Sequence, residues 1–268
     1  MRLIHCRNRE TFLKFDKKIF FCHIPKTAGT SLRLSLEQAV GDAAVVPSQA
    51  LISHHGGRYP PLHEALQELQ EKPNYRLFRG HYGFWVRKYL PKDTLTIVVL
   101  RDPVERVLSH IRHFLADGRI TEADAFESLD QGRLPIPDNT MCRYLGGTPI
   151  KAVGQELSDR FLASRIDPID YHDSLFKRAL STGRSVDIMG FTDKMPDLYE
   201  KISQETGLPL TMRQDNPSRY PALSLSDRQL DTVRRHNQLD LQLYQAMRAE
   251  RTSNKLTRLL KRTGLYRT

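Results

Sequence analysis

Phe20-Phe21-Cys22-His23-Ile24-Pro25-Lys26-Thr27-Ala28-Gly29-Thr30-Ser31-Leu32 is the stretch whose reading decides the fold. The apolar run from Ile19 to Ile24 reads as a short buried strand, and Pro25 ends it. Lys26 to Ser31 is small and polar. Leu32, Leu34, Leu36 and Val40 then begin a helix-like stretch. The pattern is strand, tight loop and helix, with a lysine in the loop and hydroxyls where the helix starts. The first N–H groups of a helix lack internal partners and lie at the positive end of its dipole, which makes them a site for a phosphate-like anion. Gly29 lets the backbone approach such an anion, Lys26 adds a point charge, and Thr30 and Ser31 add hydroxyl donors. An ordinary strand, turn and helix with a solvated lysine would show the same pattern.

Further along, Leu95-Thr96-Ile97-Val98-Val99-Leu100 is the clearest buried strand, crowded with β-branched residues and ended by Arg101-Asp102-Pro103. Helical spacing follows from Val104 to Leu115. Tyr75 to Phe78 is a short strand candidate before Gly80-His81, and Trp85 to Leu90 reads as helical. Val186 to Phe191 is a last strand, with helices expected at Ser174 to Leu180 and Pro196 to Thr206. Leu62, Leu66 and Leu69 space as a helix ended by Pro73, and Thr121 with Asp124 resembles a capping box. Val45 to Pro61 reads as loop, Gly132 to Gly154 as turn-rich, and Ser226 as the start of one long C-terminal helix. Strands alternating with helices predict an α/β fold, a P-loop-like parallel sheet with helices on both faces. Ligands of such sheets sit at the carboxyl ends of the strands, so the turns at Lys26, His81 and Arg101 are expected to open onto one crevice.

The 268 residues suffice for one α/β domain with a sizeable core. The expected division is a lead-in over 1–17, one domain over 18–250 and a basic tail over 251–268. Net charge is +10, which favours anionic partners without choosing among nucleotides, acidic glycans, nucleic acid and lipid. No basic run interleaved with aromatics marks a nucleic-acid module, so no nucleic-acid partner is expected. Cys6, Cys22 and Cys142 form neither a disulfide framework nor a metal spacing, and a reducing, cytoplasmic setting is expected. No apolar run approaches a membrane span, and the N-terminus lacks a signal-peptide core. The tail carries Lys255, Arg258, Lys261, Arg262 and Arg267 among leucines, which suits either a solvated terminus or peripheral contact with an anionic membrane.

Lys26 precedes Gly29, so the loop is not a Walker A motif, in which lysine follows the second glycine. Pro25-Lys26-Thr27-Ala28-Gly29-Thr30-Ser31 instead resembles the 5′-phosphosulfate loop of sulfotransferases that use 3′-phosphoadenosine 5′-phosphosulfate (PAPS). The fuller form His23 to Leu32 looks most like the Golgi carbohydrate group that includes the heparan sulfate 2-O-sulfotransferases. Arg101-Asp102-Pro103-Val104-Glu105-Arg106-Val107-Leu108-Ser109 resembles their 3′-phosphate motif. The resemblance implies that Lys26, Thr27, Ala28, Gly29, Thr30 and Ser31 bind the donor's 5′ end, and Arg101 and Ser109 its 3′-phosphate. Arg106 would support that site or pair with Glu105 or Asp102. Gly80-His81 matches the step that carries the catalytic base, and histidine is suited to taking a hydroxyl proton near neutral pH.

The motifs Asn139 to Leu145 and Gly190 to Lys194 with Tyr199 also resemble the group, Arg143 being either a contact or a structural residue. The resemblance spans roughly residues 18 to 250. Unlike the Golgi enzymes, the chain is expected to carry neither an N-terminal membrane anchor nor a disulfide pattern, which points to a cytoplasmic relative. The expectation is a PAPS-dependent sulfotransferase acting on a hydroxyl of a carbohydrate or glycoconjugate, with His81 and Lys26 catalytic and no metal. Two other readings share some of these features. One is a P-loop kinase or NTPase with Asp102 holding Mg²⁺, and the other is a non-catalytic polyanion binder. His110 and His113 are three apart on one helix but lack a third metal ligand, His23 reads as structural, and His54 and His55 could line an acceptor site.

Overall fold

A computed structural model describes residues 17–147, 169–212 and 220–262. Five parallel strands form one sheet: β1 (Ile19–Cys22), β2 (Val45–Val46), β3 (Leu77–Gly80), β4 (Leu95–Leu100) and β5 (Ile188–Phe191). Their spatial order is β2-β3-β1-β4-β5. Phe21 pairs with Arg79 on one side and Ile97 on the other, and Leu100 pairs with Phe191.

The strand period of two sorts the sheet's side chains into two cores. Ile19, Phe21, Leu77, Ile97, Val99 and Ile188 face one way, against Leu32 and Leu36 of α1 (Gly29–Val40) and Leu198 and Ile202 of α8 (Met195–Thr206). Phe20, Cys22, Phe78, Val98, Leu100 and Met189 face the other. There they meet α3 (Leu62–Glu71), α6 (Thr140–Gly146), α7 (Ile169–Ser185) and α10 (Gln238–Arg262) through Ala65, Met141, Ala179 and Leu243. The three-layer α/β/α expectation therefore holds. A third cluster joins Val107 and Ile111 of α4 (Pro103–Ala116) to Leu129 of α5 (Glu122–Asp130) and Val233 of α9 (Asp227–His236). The capping box forms as expected: Thr121 Oγ1 accepts from the Asp124 N–H at 3.1 Å, and the Thr121 N–H donates to Asp124 Oδ2 at 3.3 Å.

Five expectations are corrected. The stretch read as loop after Val45 holds β2 and α2 (Gln49–His54), capped by Ser48. The Tyr75 strand begins at Leu77, and the helix expected from Trp85 is a 3-10 turn over Phe84–Tyr89. The region read as turn-rich contains α6, whose seven residues are all buried. The long C-terminal helix is two helices broken at Asn237.

The last two corrections share one cause. Asn139 Oδ1 accepts from the N–H groups of Leu239 (3.0 Å) and Asp240 (3.2 Å) at the start of α10. Asp240 in return accepts from the N–H groups of Met141 (3.0 Å) and Cys142 (2.7 Å) at the start of α6. Each helix is N-capped by a residue about 100 positions away, so neither start carries its signal locally. Asn237 Oδ1 also accepts from the Asn139 N–H, at 3.1 Å.

α10 runs through residue 251, so the expected tail boundary does not coincide with an element end. Residues 1–16, 148–168, 213–219 and 263–268 lie outside the described residues, and with them most of the expected lead-in and part of the expected tail. Among the described residues no helix is long and apolar enough to cross a membrane.

Candidate functional site

The chain passes from β1 to β2 and β3 on one side and returns to β4 on the other, so the sheet's switch point lies between β1 and β4. The loop after β1 and the turn after β4 therefore meet. Arg101 Nη1 donates to the Lys26 carbonyl at 3.3 Å. His81, just past β3, lies on the other flank of β1, where its Nδ1 is 2.7 Å from the His23 carbonyl. Lys26, Arg101 and His81 thus share the carboxyl edge of three adjacent strands. A cleft lined by Lys17, Arg87, Leu95 and Asp187 opens at the opposite, amino-terminal ends and contains none of these groups.

The loop backbone is bent as an anion cradle requires. Lys26 (φ 68°) and Ala28 (φ 57°) both adopt the left-handed conformation, which costs a residue with a Cβ on the order of 1–2 kcal/mol. Alternating left-handed residues turn successive N–H groups to one side. α1 has neither a side-chain cap nor an acidic residue in its first turn. By contrast, Asp102 Oδ1 caps α4, accepting from the Val104 (3.0 Å) and Glu105 (3.1 Å) N–H groups. The start of α4 is thus occupied by its own carboxylate. Thr30 and Ser31 lie half-buried in the first turn of α1. Thr27 is buried, and its hydroxyl donates to the Ile24 carbonyl at 2.9 Å, so its side chain ties the loop and its backbone N–H is the group left for a ligand.

Burial first, and Arg101 second, hold the Lys26 ammonium below its usual range, with Asp117 opposing. Burial likewise lowers Arg101, against a long ion pair to Glu105 at 3.5 Å. Two partly desolvated cations side by side favour a ligand with negative charge. Ser109 is half-buried in the second turn of α4, and among the described residues no hydrogen bond joins it to Arg101.

Of the two parts expected of Arg106, pairing with Glu105 or Asp102 does not occur. Its side chain is fully buried and faces Asp240 at 3.9 Å. Arg143 Nε and Nη2 donate to Asp138 Oδ1 at 3.0 and 2.6 Å. The Arg106 contact reaches α10, and the Arg143 pair holds the turn that leads into α6. Asp193 pairs with Arg248 at 2.8 Å and Tyr199 is a core residue, so the later motifs stabilise the domain.

Sequence reasoning missed the surroundings of His81. Tyr59 meets its ring edge-on at 4.9 Å. Arg79, on β3, stacks on Tyr59 at 5.2 Å and donates to Glu37 at 2.5 Å, and Glu37 also takes Arg33 at 3.3 Å. Only the alternation of Arg79 within a buried strand hints at this network. Gly29 is needed for a reason other than ligand approach: a Cβ there would lie 2.1 Å from His23 Cδ2. His55 is paired with Glu64 at 2.8 Å and His54 is exposed. His110 packs edge-on to Phe114 at 4.7 Å, and His113 lies 3.5 Å from Asp117. Among the described residues no three His, Cys, Asp or Glu side chains are grouped to hold a metal ion.

His23 and His110 are both held well below the ordinary histidine range, chiefly by burial and then by neighbouring positive groups. In the unfolded chain each titrates near about 6.5. Below that pH the unfolded state binds more protons than the folded one, so stability rises with pH and is lost on acidification. The expected slope is up to about 1.4 kcal/mol per pH unit for each histidine. Urea titrations between about pH 7.5 and pH 5 check this. His110→Gln should remove one proton's share of the slope, and an unchanged slope would contradict the assignment.

A family model described as the sulfotransferase family matches residues 9–126. That segment contains β1 to β4, α1 and α4, and hence Lys26, His81, Arg101 and Ser109. No curated protein matches the chain. The match supports a sulfotransferase family and sulfuryl transfer in general, and it singles out no carbohydrate subgroup. Sulfotransferases of this family generally use PAPS as donor.

Proposed function

We propose that this chain transfers a sulfuryl group from PAPS to a hydroxyl of a carbohydrate or glycoconjugate. The observation that carries this reading is the meeting of the Lys26 loop and Arg101 at the sheet's switch point, with His81 on the adjacent strand. The donor residues present fit a nucleotide with two separated anionic ends. The uncapped start of α1, with Lys26, Thr30 and Ser31, suits the 5′ end, and Arg101 with Ser109 suits the 3′-phosphate.

PAPS supplies an activated sulfur with a phosphate leaving group. The acceptor oxygen forms the new O–S bond as the bond from sulfur to the 5′-phosphate oxygen breaks. His81 takes the acceptor's proton. A carbonyl oxygen can only accept, so the 2.7 Å contact to the His23 carbonyl puts the proton of neutral His81 on Nδ1 and its lone pair on Nε2. Lys26 and the loop N–H groups stabilise the charge that develops on the transferring group and on the leaving phosphate. Fixed cations take the part that Mg²⁺ has in kinases. The kinase reading loses its best carboxylate, because Asp102 is the cap of α4. The net charge of +10 favours an anionic acceptor.

Calorimetric titration with 3′-phosphoadenosine 5′-phosphate in the absence of metal is the direct test. Binding is expected, and Arg101→Ala should weaken it roughly 10- to 100-fold, as loss of a charged hydrogen bond does. The variant should also lose the preference for a 3′-phosphate. A preference for Mg²⁺-ATP over the 3′-phosphorylated nucleotide would overturn the proposal.

A further inference from the structure

We infer that His23 is a positioning residue that locks the proposed base to the donor loop. The inference rests on the reading of His81 as base. It arises from contacts that no local pattern announces.

His23 is the first residue past β1, and its peptide holds both sides of the turn that carries His81. Its N–H donates to the Gly80 carbonyl at 3.1 Å, and its carbonyl accepts from His81 Nδ1 at 2.7 Å. Its ring is buried. It stacks on Phe21 (5.3 Å, 14°), tilts against the His81 ring (4.4 Å, 44°) and covers Gly29 where a Cβ would clash. Tyr59 closes the far side of both histidines, at 6.5 Å from His23 and 4.9 Å from His81. One flat ring thus fills the space between the first residue of α1 and the base. The donor loop and His81 cannot move independently while it is in place.

Two further facts bear on the charge of the wedge. His23 Nδ1 is buried without a hydrogen-bond partner, an arrangement that costs stability and calls for a reason. Burial, His81, Arg33, Arg79 and Lys26 all oppose its protonation, and Glu37 is the acid of the same network, paired to Arg33 and Arg79. A neutral ring leaves His81 the group that takes up a proton. A charged one would repel that proton.

The test reads His81 directly, by nitrogen-15 NMR of its imidazole near pH 7.5, with binding of 3′-phosphoadenosine 5′-phosphate measured in parallel. In the wild type His81 is expected to show the tautomer protonated at Nδ1. His23→Ala should lose that single signature and give mixed tautomers, with nucleotide affinity kept within about threefold. His23→Phe, which restores a ring of similar outline, should restore the single tautomer. An unchanged His81 signature in His23→Ala overturns the inference. If the alanine variant does not fold, mixed tautomers in His23→Phe overturn it, and a single one supports it. Failure of the wild type to bind the nucleotide would instead count against the proposed function, whatever the tautomer.

Discussion

Lys26→Gly is expected to make the protein more stable and nearly inactive in one step. Lys26 sits at φ 68°, a conformation glycine adopts freely and lysine does not. Relief of that strain should add about 1 kcal/mol, partly offset by glycine's greater freedom in the unfolded chain. The same change removes the cation at the proposed donor loop. Donor turnover should fall about 10²- to 10³-fold, the usual cost of one stabilising group at a developing anion. Lys26→Met keeps the strain and removes only the charge, so it should show the activity loss without the gain in stability. Urea midpoints and rates of PAPS consumption measure the two quantities separately. A glycine variant with unchanged turnover would show that the loop lysine has no part in the chemistry. One with no gain in stability would show that the bend itself is unstrained.

Asp240→Ala is expected to destabilise the fold by about 3–5 kcal/mol, although it lies outside the site. Asp240 is fully buried. Its loss leaves Arg106 as a buried guanidinium with no counter-charge, and it leaves the N–H groups of Met141 and Cys142 uncapped. The pair itself is poorly made, since none of the three Arg106 nitrogens has a hydrogen bond and the closest approach is 3.9 Å. Such a pair is held together by the penalty of breaking it more than by its own attraction. The double variant Arg106→Met, Asp240→Asn should therefore recover most of the loss, because Asn keeps an acceptor for α6 and methionine fills the arginine's space. Equilibrium unfolding of the two variants checks this. A double variant as unstable as Asp240→Ala would show that the unpaired Arg106 charge is not the cause of the loss.

This second result bears on the site through α4. Arg106 is on the same helix as Ser109, five residues after Arg101. The buried contact between Arg106 and Asp240 holds that helix against α6 and α10. The first of the later motifs, Asn139 to Leu145, is thus joined through Asp240 to the helix that carries Ser109. Asp240 reaches the helix carrying the proposed 3′-phosphate residues through Arg106, Asn139 fixes the start of α10 that carries Asp240, and neither faces Lys26 or His81 in the described contacts.

What the sequence by itself determined is whatever local chemistry encodes. Ile19 to Cys22 and Leu95 to Leu100 declare themselves as buried strands by continuous apolar, β-branched composition. The pairings Thr121 with Asp124 and Asp102 with Pro103 declare helix starts, because cap and capped N–H groups lie within three residues. Alternation of such elements was enough for a parallel sheet, and the sheet was enough to bring Lys26, His81 and Arg101 to one edge. Only the tertiary structure decided the rest. The two-residue β2 has no period to read, and α6 and α10 borrow their caps from each other across about 100 residues. Arg106 could have paired with Glu105 or Asp102 as readily on local grounds, and Asp240 is set against it by the packing of α10. The reason Gly29 must be glycine is the ring of His23, brought over it by the bend of the loop. Hydrogen bonds and contacts between distant residues leave no periodic trace, so a role that depends on them becomes visible when the chain is folded.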